Sequence, residues 1–213
     1  MLIQPEEITA VLNKVRIARE HLKTACPPHD EWVLSVMDFH WAVQDIYELE
    51  IEMLKVSFSA DHVRGKVERY ANKRARILIR AQQTPEFLRF VTVKELCHLM
   101  IDEEDDWSFM GVETIKGLLK EWELVGENGT GHTDPSDPLQ SEMLAEIAAI
   151  EMMYPREYRA SDIGKIKAKE TTLKKIAMQH DVPPYAIEQA HRHHDMLEKC
   201  WCAIEAQIAG KGA

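Results

Sequence analysis

Between Glu50 and Arg80 the apolar residues change from the period of a helix to the period of a strand, and after Pro85 they change back. Met53, Lys55 and Ser57 alternate with Leu54, Val56 and Phe58, which predicts one short strand. A second spans residues 65–70, and a third, Arg74-Ala-Arg-Ile-Leu-Ile-Arg80, carries β-branched residues between charges. Gln82-Gln-Thr-Pro85 then turns the chain into a helix at 86–102. Strands grouped together, rather than alternating with helices, predict an α+β fold: mainly helical, with a small sheet immediately before one central helix.

Helical stripes account for most of the remainder. Ile8, Val11, Leu12, Val15 and Leu22 share a face between Pro5 and Thr24, and Pro27-Pro28 stops that helix. Asp30 is the expected cap of a second helix over 31–49, rich in aromatics (Trp32, Phe39, Trp41, Tyr47) and holding His40, a residue more in keeping with packing than with ligation. The acidic run Asp102-Glu-Glu-Asp-Asp106 opposes the dipole of the preceding helix, so that helix is expected to fray there. A helix over 112–122 and a Gly/Pro/Asp loop over 126–138 follow. Ser141 is the expected N-cap of a helix over 141–154, with Glu142 and Glu146 opposite a small apolar surface of Ala145, Ala148, Ala149 and Met152. Beyond Pro155 the segment 156–213 reads as helical and packed on the same domain. Within it, 171–180 and 185–194, separated by Asp181-Val-Pro-Pro184, have a helix-turn-helix outline with Leu173, Ile176, Ala177, Val182 and Ile187 inward. His191, His193 and His194 suit a helix C-terminus, and a last helix covers 196–208.

Composition narrows the function classes. A net charge of −10 argues against a general nucleic-acid surface, although residues 156–200 hold nine Lys and Arg against seven acids. No apolar run approaches a membrane span, and the first residues lack the pattern of a signal peptide, so the expectation is a cytoplasmic protein without a membrane partner. Cys26, Cys97, Cys200 and Cys202 are too few and too irregular for a disulfide framework. Cys97 reads as a small buried thiol, and Cys200-Trp-Cys202 is a weak metal signal.

The chemistry concentrates in Lys94-Glu95-Leu96-Cys97-His98, on a helix whose apolar stripe is expected to be Leu96, Leu99 and Met100. Lys94 and His98 are one turn apart on one face, and Glu95 lies beside them. With His at position 94 this would be H-E-x-x-H, in which two imidazoles hold zinc and the Glu serves as general base. The chain has Lys there instead.

Taken in order, several segments resemble the ImmA/IrrE family of zincin-type metallopeptidases. Ala75-Arg-Ile-Leu-Ile79 is similar to the strand before that family's active helix. Residues 89–99 are similar to R-x-F-T-x-A-H-E-L-G-H-L, residues 142–155 to E-x-x-A-N-x-F-A-A-x-L-L-x-P, and residues 172–187 to the closing L-x-x-L-A-x-x-F-x-V-S. About half the chain is covered. The resemblance implies a zincin-like domain over 1–155, with Glu95 as base, and His98 and Glu142 as metal ligands. Glu146, where the family has Asn, is the alternative third ligand. The chain departs from the family at Lys94 and at Cys97, where the family has Gly.

An ammonium is not a ligand, and it opposes binding of a second cation beside it. The zinc site that the resemblance implies is therefore expected to be weakened or absent, with Lys94 paired to Glu95, Glu142 or both. The leading expectation is a catalytically degenerate regulatory or interaction protein whose partner is another protein, by analogy a bacterial or phage transcriptional regulator. The alternatives are an active zinc endopeptidase that replaces the missing His with Asp102, His40 or a histidine of 191–194, and a DNA-binding regulator acting through 171–194 with Lys174 and Lys175 on phosphates.

Overall fold

A computed structural model describes residues 3–25, 33–59, 63–70, 72–102 and 137–211. The expected stop at Pro27-Pro28, the expected cap Asp30 with the first two residues of the helix over 31–49, the rest of the acidic run, the helix at 112–122 and most of the loop at 126–138 lie outside the described residues. Within them the fold is α+β, mainly helical, with one three-stranded sheet.

Helix α1 (Pro5–Ala25) buries Ile8, Val11, Leu12 and Val15 of the expected stripe, while Leu22 is half-buried and Ala18 joins the buried face. Helix α2 (Val36–Tyr47) starts later than expected because Ser35 caps it, its side chain accepting from the Asp38 amide at 3.2 Å. A left-handed Glu48 (φ 53°) ends it and turns the chain into the sheet. Strand β1 (Glu50–Val56) begins three residues before the expected alternation, while β2 (Gly65–Tyr70) and β3 (Arg74–Arg80) have the expected bounds.

β3 is central. It runs parallel to β1, with Glu50 opposite Arg74, and antiparallel to β2, with Gly65 opposite Ile79. Ala75, Ile77 and Ile79 are buried. Arg74 and Arg76 reach their register partners Glu50 and Glu52 at 3.0 and 2.8 Å, so cross-strand charge supports the alignment that burial imposes.

Helix α3 (Pro85–Ile101) lies across β2 and β3. The expected stripe of Leu96, Leu99 and Met100 is buried, but so are Phe90 to Val93, Glu95, Cys97 and His98. It is a helix enclosed nearly all round, not an amphipathic one, because the sheet, α1, α2 and the helix that begins at Asp137 pack on it. Up to Asp102, the last described residue here, its end is held from outside. Arg69 on β2 donates to the carbonyls of Leu99 and Asp102 at 2.9 and 3.2 Å, and Lys14 donates to that of Ile101 at 3.3 Å. These cations satisfy the last turn that the acidic run alone would have opposed.

Helix α4 (Asp137–Met153) packs along α3. It begins before Ser141, which is therefore an interior residue and not the N-cap. The expected small surface is buried: Ala145, Ala148 and Ala149 are 0% exposed and Met152 is 2% exposed, which lets the two helices approach closely. Helices α5 (Arg156–Lys167), α6 (Leu173–His180), α7 (Pro184–Arg192) and α8 (His194–Lys211) complete the described chain. Thr172 caps α6, its hydroxyl accepting from the Lys175 amide at 3.3 Å. Of the residues expected inward, Ile176, Ala177, Val182 and Ile187 are buried and Leu173 is half-buried. α8 lies along α1, and apolar residues from α1 to α8 join one continuous core. Among the described residues no helix is long and apolar enough to cross a membrane.

Candidate functional site

The close packing of α3 on α4 sets Lys94 and His98 against Glu142. Lys94 Nζ donates to Glu142 Oε2 at 2.5 Å and lies 3.4 Å from Glu95 Oε1. Both partners follow from helix geometry: Glu95 is the next residue on α3, and Glu142 starts the exposed side of α4, whose alanine side faces inward. One turn further along α3, His98 Nε2 lies 3.4 Å from Glu142 Oε1. Its other nitrogen, Nδ1, is 2.8 Å from Asp102 Oδ2. Ser141 links the helices again, its hydroxyl donating to Asp102 Oδ1 at 2.8 Å. Ser141, His98 and Asp102 do not form a nucleophilic triad. The Ser hydroxyl and the carboxylate meet the same ring nitrogen, whereas a triad needs them on opposite nitrogens.

Gly65, the first residue of β2, forms the third wall. A Cβ there would lie 2.6 Å from Glu95 Oε1 and 2.7 Å from Val91 Cγ1, so the strand reaches α3 only because residue 65 has no side chain.

Protonation follows from this packing. Burial by itself would drive the proton off Lys94, but Glu142 and Glu95 outweigh it and hold the ammonium above the usual lysine range. Burial also opposes a charged His98, yet Glu142 and the bond to Asp102 raise its pKa to about 10. Glu142 is pushed up by burial and pulled further down by Lys94 and His98, ending below the usual carboxylate range. Glu146 behaves oppositely: burial raises it, and the pull of Lys94 does not compensate. Burial pushes the Cys97 thiol up as well, so it is inert as a nucleophile, in keeping with a packed residue.

His98 has the attitude of a metal-ligating imidazole, with Nδ1 held by a carboxylate and Nε2 buried without a hydrogen bond. The third corner, however, is the Lys94 ammonium. The side chains present two donors and a cation rather than three donors, and a zinc ion among them would meet a like charge at short range. As they stand they do not fit zinc. Among the described residues, no group of three or more His, Cys, Asp or Glu side chains is arranged to hold a metal ion.

Of the expected replacement ligands, Asp102, His40 and His191 are held by other partners. Asp102 is on the Nδ1 side of the imidazole, away from Lys94. His40 Nε2 is bonded to the Ile51 carbonyl at 3.1 Å, beside β1. His191 Nε2 meets the Tyr154 hydroxyl at 2.9 Å. Glu146 makes no ion pair with Lys94 within 4.0 Å; it lines a cavity with His193 instead. The Cys200-Trp-Cys202 pair separates as residues two apart on a helix must, with Cys200 buried and Cys202 exposed. On α7 the outward residues include Glu188 and Arg192, paired with each other at 3.1 Å.

Sequence reasoning missed Gly65, Arg69 and Ser141 as parts of this site, because each arrives from another element and no local pattern marks it. It also missed a polar knot deep in the fold. Glu151 and Arg159 are both 0% exposed and ion-paired, and the Trp201 indole donates to Glu151 Oε2 at 3.0 Å. Nearby, the Tyr154 hydroxyl donates to Asp162 at 3.1 Å. Compared with known proteins, the chain matches no family model and no curated sequence.

Proposed function

We propose that this chain keeps an ImmA/IrrE-like, zincin-type framework in which the Lys94 ammonium stands where that family has a metal. It acts as a cytoplasmic regulatory or interaction protein, binding a protein partner through the surface where α3 and α4 present Lys94 and Glu142; by analogy, the partner is a transcriptional regulator. The observation that carries the reading is the contact of Lys94 Nζ with Glu142 at 2.5 Å, with Glu95 at 3.4 Å. Metal-assisted hydrolysis needs a bound, acidified water and a free base beside it. Here the candidate base is engaged by an ammonium, and the candidate third ligand is its principal partner.

The competing reading, an active zinc endopeptidase, is favoured by one feature, the orientation of His98 between Asp102 and Glu142. Metal content separates the two. The parent protein, purified without chelator or added metal, is expected to hold no stoichiometric zinc, and Lys94→His is expected to gain it. Stoichiometric zinc in the parent would overturn the proposal and favour the endopeptidase.

A further inference from the structure

On the face of α4 that carries Glu142 and Glu146, a half-open cavity of about 90 Å³ lies against α7 and α8. Met143, Ile147 and Ile150 from α4 and Leu197 from α8 make its walls apolar, and Glu146, Gln189 and His193 contribute the polar groups. Glu146 sits in this lining without a hydrogen bond or ion pair among the described residues, since the Lys94 ammonium is directed to Glu142 and Glu95. A carboxyl set in an apolar wall and lacking a partner is costly to bury further unless the incoming group pairs with it. That condition selects the ligand. An anion would meet Glu146, and a purely apolar group would desolvate Glu146 with nothing in return. An aromatic ring is too large, since an apolar cavity of about 150 Å³ is what holds benzene.

We infer that this cavity receives the side chain of a lysine from a partner polypeptide, its methylene stem on the apolar walls and its ammonium on Glu146. Lysine stems cover apolar surface in this way while the head stays paired. His193, which burial holds below the usual histidine range, and the Gln189 amide oxygen can accept the remaining ammonium hydrogens. A free diamine would bring a second charge for which the lining holds no second carboxyl. Glu146 is one turn from Glu142, so a chain lying over the surface that Glu142 and Lys94 present can lower one side chain here. That the partner is a polypeptide rests on the function proposed above.

The test is a titration of the full chain with acetyl-Gly-Lys-Gly-amide, its norleucine counterpart and n-butylammonium, read by methyl NMR at Met143, Ile147 and Ile150. The lysine peptide is expected to shift these methyls and to bind at least tenfold more tightly than either other probe. Glu146→Gln is expected to remove that preference. Ile150→Trp, which fills the cavity, is expected to abolish the shifts while its spectrum shows a folded protein. Equal binding of the norleucine peptide, no effect of Glu146→Gln, or no binding at all would overturn the inference. Butylammonium binding as tightly as the peptide would overturn it in favour of a small-amine site. Zinc in the parent protein would sink the proposed function and leave these results standing. Failure of the peptide would leave the role of Lys94 untouched.

Discussion

Gly65 on β2 and Glu95 on α3 are in such close contact that a methyl group at position 65 would stand 2.6 Å from the Glu95 carboxylate and 2.8 Å from its Cγ. The edge of the sheet thereby fixes the side chain that would serve as base in a peptidase and that here faces the Lys94 ammonium. Gly65→Ala is expected to destabilise by about 1–3 kcal/mol, as overpacking of a filled site does. Gly164, inside α5 with nothing within 4 Å of its missing Cβ, is the control. Gly164→Ala is expected to stabilise by about 0.5–1 kcal/mol. Urea midpoints that moved the same way in both variants would contradict this account.

Lys94→Met removes the cation and leaves Glu95, 3% exposed, beside Glu142 with no positive partner on its own side. Loss of about 3 kcal/mol is expected, in the range for breaking a buried pair. Adding Glu142→Gln to that variant is expected to restore part of the loss. A double-mutant cycle that returned no coupling would show that the two residues are merely adjacent.

The pH dependence of stability follows from the opposite shifts of His98 and Glu142. His98 is raised from 6.5 to about 10, so its protonated form stabilises fully below 6.5, and the contribution is lost as pH climbs through about 10. Glu142 is lowered from 4.5, so its contribution is present above that value and fades as pH falls further. Stability measured in chelator is therefore expected to be greatest between these limits and to decline towards pH 10. His98→Asn is expected to flatten the alkaline limb, and an unchanged limb would show that other groups set it.

Arg159→Met is expected to cost about 3–5 kcal/mol, because it leaves the Glu151 carboxyl without its cationic partner in a site closed to water. Burial already raises the Glu151 pKa despite the arginine, so the lone carboxyl is expected to take up a proton on folding. Glu151→Gln combined with Arg159→Met is expected to recover most of the loss. Thermal denaturation of the parent and the two variants, with Trp201 fluorescence as the probe, decides it.

Much of the fold was legible because it is written in local periods. The bounds of β2 and β3 are those their alternation predicts, and Ile8, Val11, Leu12 and Val15 of the α1 stripe are buried as their spacing requires. The expectation failed where a non-local group substitutes for a local signal. Ser141 has the chemistry of a cap, but α4 starts four residues earlier, and its hydroxyl serves Asp102 across the helix pair. The carbonyls at the end of α3 likewise find partners from outside the segment, Arg69 on β2 and Lys14 on α1.

What the sequence determined by itself is the α+β class, the helix carrying Lys94, Glu95 and His98 on neighbouring positions, and the alanine face that lets a second helix approach. Those depend on periods of two and 3.6 residues, which a single segment expresses alone. Only the tertiary structure decided that Glu142 rather than Glu146 meets Lys94, that Asp102 holds His98 from the side away from it, and that Gly65 closes on Glu95. Each is a contact between elements. Its partner is chosen by helix rotation and strand register, and these are set when the whole core packs rather than by any one stretch of chain.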